Sequence, residues 1–365
     1  MRNKNLNVKY RVPILLVGFI CLVSGIGGGL LRLGWGLPFI TITHITFHGP
    51  LMVCGFLGTL ISLERAVAIG KYWAYLGPIS AAVGGLSFII GLPLPIGVTL
   101  MTIASLVLSI VTVYIYIRQQ ALFTLTLLLG SLSWLLANVL WMVGFNITQL
   151  VPWWITFLVL TIAGERLELS RFLPPSLSSK VIFVMIITLL LIGAVIATIS
   201  DGYNLQITST ALLALSFWLL CQDVARHTIK LDGLTRYIAV CLISGYLWLL
   251  VGSLVGVFTQ YMLKSSSYDA FLHSILIGFV FSMIFGHAPI IFSAVAKLKL
   301  TYHSIFYLPL IVLHTSLILR VAGDLLLGQL YRSLGGMLNA IALISFVLIM
   351  TCAVICNIRK KIILN

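Results

Sequence analysis

Charge is what this chain has least of. Lys, Arg, Asp and Glu together make up only 8% of its 365 residues, and just eight of those residues are acidic. A soluble domain carries about 25% charged residues, so there is too little polar surface here to cover a water-soluble core. No polar stretch is long enough to form a separate soluble domain. That removes the nucleic-acid partner which a net charge of +14 would otherwise suggest. The six cysteines (Cys21, Cys54, Cys221, Cys241, Cys352 and Cys356) show no Cys-x-x-Cys spacing. Lying in or beside apolar segments, they read as small membrane-core residues rather than thiolate ligands or disulfide partners. A cleavable leader is not expected either: Met1 to Arg11 is basic, but the apolar segment behind it is long enough to span.

Hydrophobic residues are abundant, at 61% of the chain. At about 20 residues per crossing, the apolar runs predict an all-α polytopic protein with twelve transmembrane helices. These fall near 12–32, 38–63, 73–92, 95–117, 121–145, 150–169, 180–199, 205–223, 236–260, 269–296, 303–320 and 333–357. Basic residues flank these runs and give the direction. With both termini cytoplasmic, 18 of the 22 Lys and Arg fall inside, leaving Arg32, Lys264, Arg320 and Arg332 outside. Cytoplasmic loops carry such an excess of positive charge, so the expected setting is the cytoplasmic (inner) membrane, with the lipid bilayer as partner. The whole of 1–365 reads as a single transmembrane domain. Leu63-Glu64-Arg65 and Gly164-Glu165-Arg166 close helices four apart in order, which suggests four-helix units at about 1–118, 119–232 and 233–365; an interfacial ion pair explains each Glu-Arg equally well.

Seven histidines stand out against this background: His44, His48, His227, His273, His287, His303 and His314. His227 lies in a basic loop and reads as solvated. Ionisable side chains at membrane depth are costly and mark functional sites. The predicted directions place His44, His48, His273 and His314 in the outer half, and His287 and His303 toward the inner surface. At 1.5 Å per residue, His273 and His287 lie about 21 Å apart along one helix, too far to share a metal. The same rise separates His303 from His314 by about 16 Å, whereas His44 and His48 are neighbours at i, i+4.

His48 on helix 2 and His273 on helix 10 are the pair that suits a haem. Bis-imidazole ligation needs two neutral rings at similar depth, with the other ring nitrogen of each hydrogen-bonded. By the expected boundaries His48 lies a few ångströms deeper, and Thr43, Thr46 or Ser274 are the candidates to orient the rings. The competing reading is that these imidazoles hydrogen-bond between helices as packing glue. Arg320, just after helix 11, is a candidate to grip haem propionates, against a local Arg320–Asp324 pair at i, i+4. His44 and His314 are the candidates for a second metal. Trp134, Trp141, Trp153, Trp154, Trp218 and Trp248 read as interface belts or packing, with some available to flank a macrocycle.

The segment His48-Gly49-Pro50-Leu51-Met52 resembles the His-Gly-x-x-Met signature of helix 2 in the haem-copper oxidase catalytic subunit, where that histidine and one from helix 10 hold a low-spin haem. His273 lies in the matching helix, and Arg320 matches a propionate contact. The copper ligands of that family are missing, since 150–169 and 180–199 contain no histidine; oxygen reduction is therefore not expected. A nearer likeness is to NnrS-type membrane proteins, through His48-Gly49 with Gly55-Phe56 and His273 with Gly286-His287. That resemblance implies haem b on His48 and His273, copper as a second metal, and a role in electron transfer or in nitric oxide response or detoxification, with the redox partner unidentified. The alternative is a proton-coupled transporter using buried histidines with Glu64 and Glu165.

Overall fold

The computed structural model describes residues 5–37, 42–170, 175–201, 204–259, 265–296 and 302–363, and every element among them is a helix. In chain order these are α1 (Val8–Arg32), α2 (His48–Ile69), α3 (Leu76–Ile89), α4 (Leu94–Arg118), α5 (Leu122–Met142), α6 (Ile147–Leu169), α7 (Leu177–Ile199), α8 (Gln206–Gln222), α9 (Gly233–Phe258), α10 (Ser267–Phe292), α11 (Ser304–Leu327) and α12 (Gln329–Ile363). Ten of them are long and apolar enough to cross a bilayer. The segments expected to span at 73–92 and 205–223 instead form the shorter α3 and α8, of 14 and 17 residues. Arg2, Lys4, Arg171, Lys264, Lys297 and Lys299, which enter the charge count, lie outside the described residues, as does the side chain of Cys356.

Local chemistry accounts for many of the boundaries. The Asn7 side chain accepts the Lys9 N–H at 3.2 Å and opens α1, and Ser176 does the same for Ser179 at 3.2 Å ahead of α7. Gly70, at φ +60°, closes α2 in the left-handed conformation that glycine adopts without steric cost. Helix 2 was expected to run unbroken over 38–63. It is interrupted instead: a short helix Ile42–Thr46 ends at Phe47, one turn follows over His48–Pro50, and π-helix runs over Leu51–Leu57 before regular α-helix resumes at Gly58. Pro50 supplies the reason, because it has no N–H to offer the Thr46 carbonyl and the i→i−4 ladder fails there. α10 carries a second π-helix, Ser274–Phe281, with no proline inside it. A third, Gly323–Leu327, ends α11.

The chain divides into two compact units, and neither of the boundaries suggested by the Glu-Arg pairs separates them. The first comprises 1–145 with 290–298, the second 146–289 with 299–365. In the first unit small residues let backbones approach: Cβ atoms at Gly55 and Gly85 would both press on Cys21 of α1. Polar side chains are satisfied internally. Trp134 Nε1 donates to Cys54 Sγ at 3.3 Å, and Asn138 Nδ2 donates to the Met101 carbonyl at 3.0 Å and to Ser105 Oγ at 3.1 Å. Small residues and interhelical hydrogen bonds are what hold helices together where lipid offers no hydrophobic gain.

The second unit is tied by a buried ion pair. Arg166, at the end of α6, forks onto Asp223 just beyond α8, with Nε–Oδ2 at 2.7 Å and Nη2–Oδ1 at 3.0 Å. The two side chains are only 4% and 3% exposed. Asp223 also accepts from Tyr246 Oη of α9 at 3.0 Å and from the Ala225 N–H at 2.7 Å. The Arg166 of the second Glu-Arg motif thus finds a distant aspartate, outside its own helix. Removing one partner of such a pair strands the other charge, at a cost of about 3–5 kcal/mol. Asp223→Ala is expected to lower the unfolding stability of detergent-solubilised protein by that amount, while Arg166→Met with Asp223→Leu recovers most of it. An unchanged melting transition in Asp223→Ala would show that the pair does not hold the unit.

Candidate functional site

His48 belongs to the first unit and His273 to the second, and each is built by its own neighbours. The His48 ring is half-buried, and its Nδ1 lies 2.6 Å from the carbonyl oxygen of Gly25 on α1. A carbonyl can only accept, so Nδ1 carries the proton and the lone pair of the neutral ring sits on Nε2. The run Gly25-Ile26-Gly27-Gly28-Gly29 makes this approach possible. A Cβ at Gly29 would lie 2.9 Å from His48 Cε1, and one at Gly28 would overlap the carbonyl of His44. The Gly25 carbonyl thus seats and orients the ring; the side chain of Thr43, one of the hydroxyls expected to do so, lies outside the described residues. His44 is buried at 6% exposure. The interruption at Phe47, with φ −98° and ψ 13°, removes the continuous helical face it was expected to share with His48.

His273 closes the first turns of α10. His48 opens α2, and His273 is the seventh residue of α10. His273 Nδ1 lies 2.9 Å from the Asp269 carbonyl oxygen and 3.3 Å from the Asp269 carboxylate, so here too the proton is on Nδ1 and the lone pair on Nε2. Ser274, the hydroxyl expected to orient this ring, has a buried Oγ with no hydrogen-bond partner. The Asp269 carboxylate is the hub of a charged cluster. Arg320 Nε donates to Oδ2 at 3.0 Å and Nη2 to Oδ1 at 3.3 Å, while Arg332 Nη2 stands 3.4 Å from Oδ1. Arg332 Nε also makes an ion-pair contact with Asp324 at 2.9 Å. The local Arg320–Asp324 pair therefore gives way to Arg320–Asp269, because the π-helical turn at Gly323–Leu327 takes Asp324 off the i, i+4 register. The guanidinium fork reserved for a propionate holds Asp269.

The remaining histidines have other work. His314 Nδ1 accepts from Trp248 Nε1 at 3.0 Å, which consumes the lone pair of a neutral ring and leaves an N–H on buried Nε2. In that tautomer it cannot ligate a metal. His287 gives Nδ1–H to the Met283 carbonyl at 2.7 Å, and its Nε2 faces Arg166 Nη1 at 3.4 Å. His303 is exposed and its Nδ1 accepts the Ile305 N–H, while His227 is exposed as expected. Among the described residues no three or more His, Cys, Asp or Glu side chains gather to hold a metal ion. Trp134, Trp153, Trp218 and Trp248 each donate a hydrogen bond inside their own unit, consistent with packing.

His48 and His273 share one more feature. Each directly precedes a π-helix, within three residues for His48 and one for His273. Both π-helices contain a glycine whose carbonyl accepts a hydroxyl four residues on, Thr59 to Gly55 and Ser282 to Gly278. Long π-helices are rare and concentrate at functional sites.

Residues 11–355 match the model of a family described as a domain of unknown function, DUF8744. The chain belongs to this family. No curated protein matches it.

Gly25, Asp269 and Arg332 were not singled out in the sequence, although two signals pointed to them: the glycine run in α1, and an acidic residue four positions before His273 in an apolar stretch. The seat of His48 is testable by overpacking, which costs about 1–3 kcal/mol. Gly29→Val is expected to lose stability on that scale. Gly36→Ala, with open space around the new Cβ, is expected to stay within about 0.5 kcal/mol of the parent. Equal melting of the two variants would count against a packed His48 ring.

Proposed function

We propose that this chain is a haem-binding integral protein of the cytoplasmic membrane, with His48 and His273 supplying axial imidazoles to b-type haem and a role in electron transfer or in nitric oxide response or detoxification. The observation that carries this reading is the state of the two rings. Each gives its Nδ1 proton to a backbone carbonyl, which fixes the tautomer with Nε2 as the coordinating nitrogen. Their position at the mouths of two π-helices, and the likeness of the His48-Gly49 and His273 segments to NnrS-type proteins, support it further. Bound haem would supply one-electron chemistry, and the protein's part is to hold neutral imidazoles in fixed orientation.

The same proposal takes α3 and α8 as the two short members of twelve spans. The 3₁₀ turn Tyr72–Tyr75 runs straight into α3, so residues 72–89 are helical without interruption. Twelve crossings put both termini in the cytoplasm with 18 basic residues inside and four outside.

The competing reading, proton-coupled transport through buried His and Glu residues, draws on one observation: α2 and α10 are both irregular helices, as substrate-binding helices of transporters are. An optical spectrum separates the two. The purified protein is expected to show the sharp reduced bands of low-spin haem b, with loss of that signature in both His48→Ala and His273→Ala. A colourless preparation that moves protons with a substrate would overturn the haem reading. Reporter fusions at the two ends are expected to report the cytoplasm for both, and opposite sides would rule out an even number of spans.

A further inference from the structure

We propose that Asp269 is a positioning residue for His273, tuning the imidazole electronically through Nδ1, with Arg320 and Arg332 setting how much of the carboxylate charge reaches the ring. This rests on the haem reading above. It adds to that reading a named side chain which sets the redox properties of the site. Asp269 approaches the ring at two points: its carbonyl oxygen accepts from Nδ1 at 2.9 Å, and its carboxylate Oδ1 lies 3.3 Å from the same nitrogen. A carboxylate facing Nδ1–H raises the basicity of the ring and so strengthens donation from Nε2 to a metal. The same carboxylate is held by two guanidiniums, Arg320 at 3.0 Å and Arg332 at 3.4 Å. Arg320 is buried at 8% exposure, whereas the Arg332 side chain is 28% exposed. Arg320 therefore locks the carboxylate in place, while Arg332 is the more exposed partner and also contacts Asp324 at 2.9 Å. The carbonyl of Gly25 that faces His48 carries no net charge. Within this reading His273 is the electronically tuned ligand.

The test uses the full-length haem-loaded protein. Asp269→Asn is expected to retain its haem-to-protein ratio, to shift the midpoint potential upward, and to change the electron paramagnetic resonance signature of the oxidised low-spin iron. Asp269→Glu is expected to restore part of both shifts. Arg332→Gln, which frees the carboxylate from one cation, is expected to shift the potential downward, and it keeps the idea testable should Asp269→Asn fail to fold. A structural role alone would leave potential and resonance signature at their parental values in Asp269→Asn and Arg332→Gln, and that result overturns the inference while the haem reading stands. A potential shift without any change in resonance signature would make Asp269 a distant charge and would also overturn it. If the parent protein carries no haem, the haem reading fails and this inference with it.

Discussion

The polar groups of this protein have to find their partners inside the protein. In hydrocarbon no water is present to satisfy a buried N–H, carbonyl or charge, and each unsatisfied group costs several kcal/mol. That constraint explains why the rare charged residues do not simply sit at helix ends. Arg166 reaches Asp223 across 57 residues of chain, and Arg320 reaches Asp269 across 51. The same constraint acts on the imidazoles. A neutral histidine in this setting must dispose of one proton and one lone pair, and which nitrogen takes which is decided by the nearest donor or acceptor.

That criterion sets His314 apart from His48, His273 and His287. His314 spends its Nδ1 lone pair on Trp248, and His287 meets Arg166 through Nε2. His287 nevertheless shares the tautomer of His48 and His273, since its Nδ1–H goes to the Met283 carbonyl. His48 and His273 send their Nδ1 protons to carbonyls of Gly25 and Asp269, which puts the lone pair of each neutral ring on Nε2. Hydrogen-bonding glue and metal ligation begin from the same tautomer. What distinguishes these two rings is the backbone that presents them, a π-helix following each.

Much of the architecture could be read from the sequence because hydropathy reports it directly: all twelve expected segments contain a helix, and lipid exposure demands long apolar runs. The interior of α2 was partly legible, since Pro50 removes an N–H at a stated position. The π-helix in α10 was not, because no proline or paired glycine marks its start; within it Gly278 lies close against Trp248 of α9. Partners distant in sequence were likewise hidden. Nothing local to Arg320 favours Asp269 over Asp324, which sits at the ideal helical spacing. Only the change of helical pitch after Arg320 decides between them. His48 illustrates the middle case. Its importance was evident from its chemistry, but its seat was recorded in the glycines of a different helix.

The two π-helices bear on function through their geometry. In a regular α-helix each carbonyl is claimed by the N–H four residues on, whereas a π-helix pairs it with the N–H five residues on. Thr59 and Ser282 take up the carbonyls of Gly55 and Gly278. The helix widens just beyond each histidine, which changes the direction of every later side chain relative to the first turn. A helix kept only for spanning gains nothing from that distortion. A helix that must present an imidazole from one turn and still pack its remaining length against a neighbour needs two faces out of regular register. Of the histidine-bearing helices described, α2 and α10 have this form. α11 has its π-helix beyond His314, at the cluster of Asp269, Arg320 and Asp324, so the irregular backbone there lies beside the charges that surround His273.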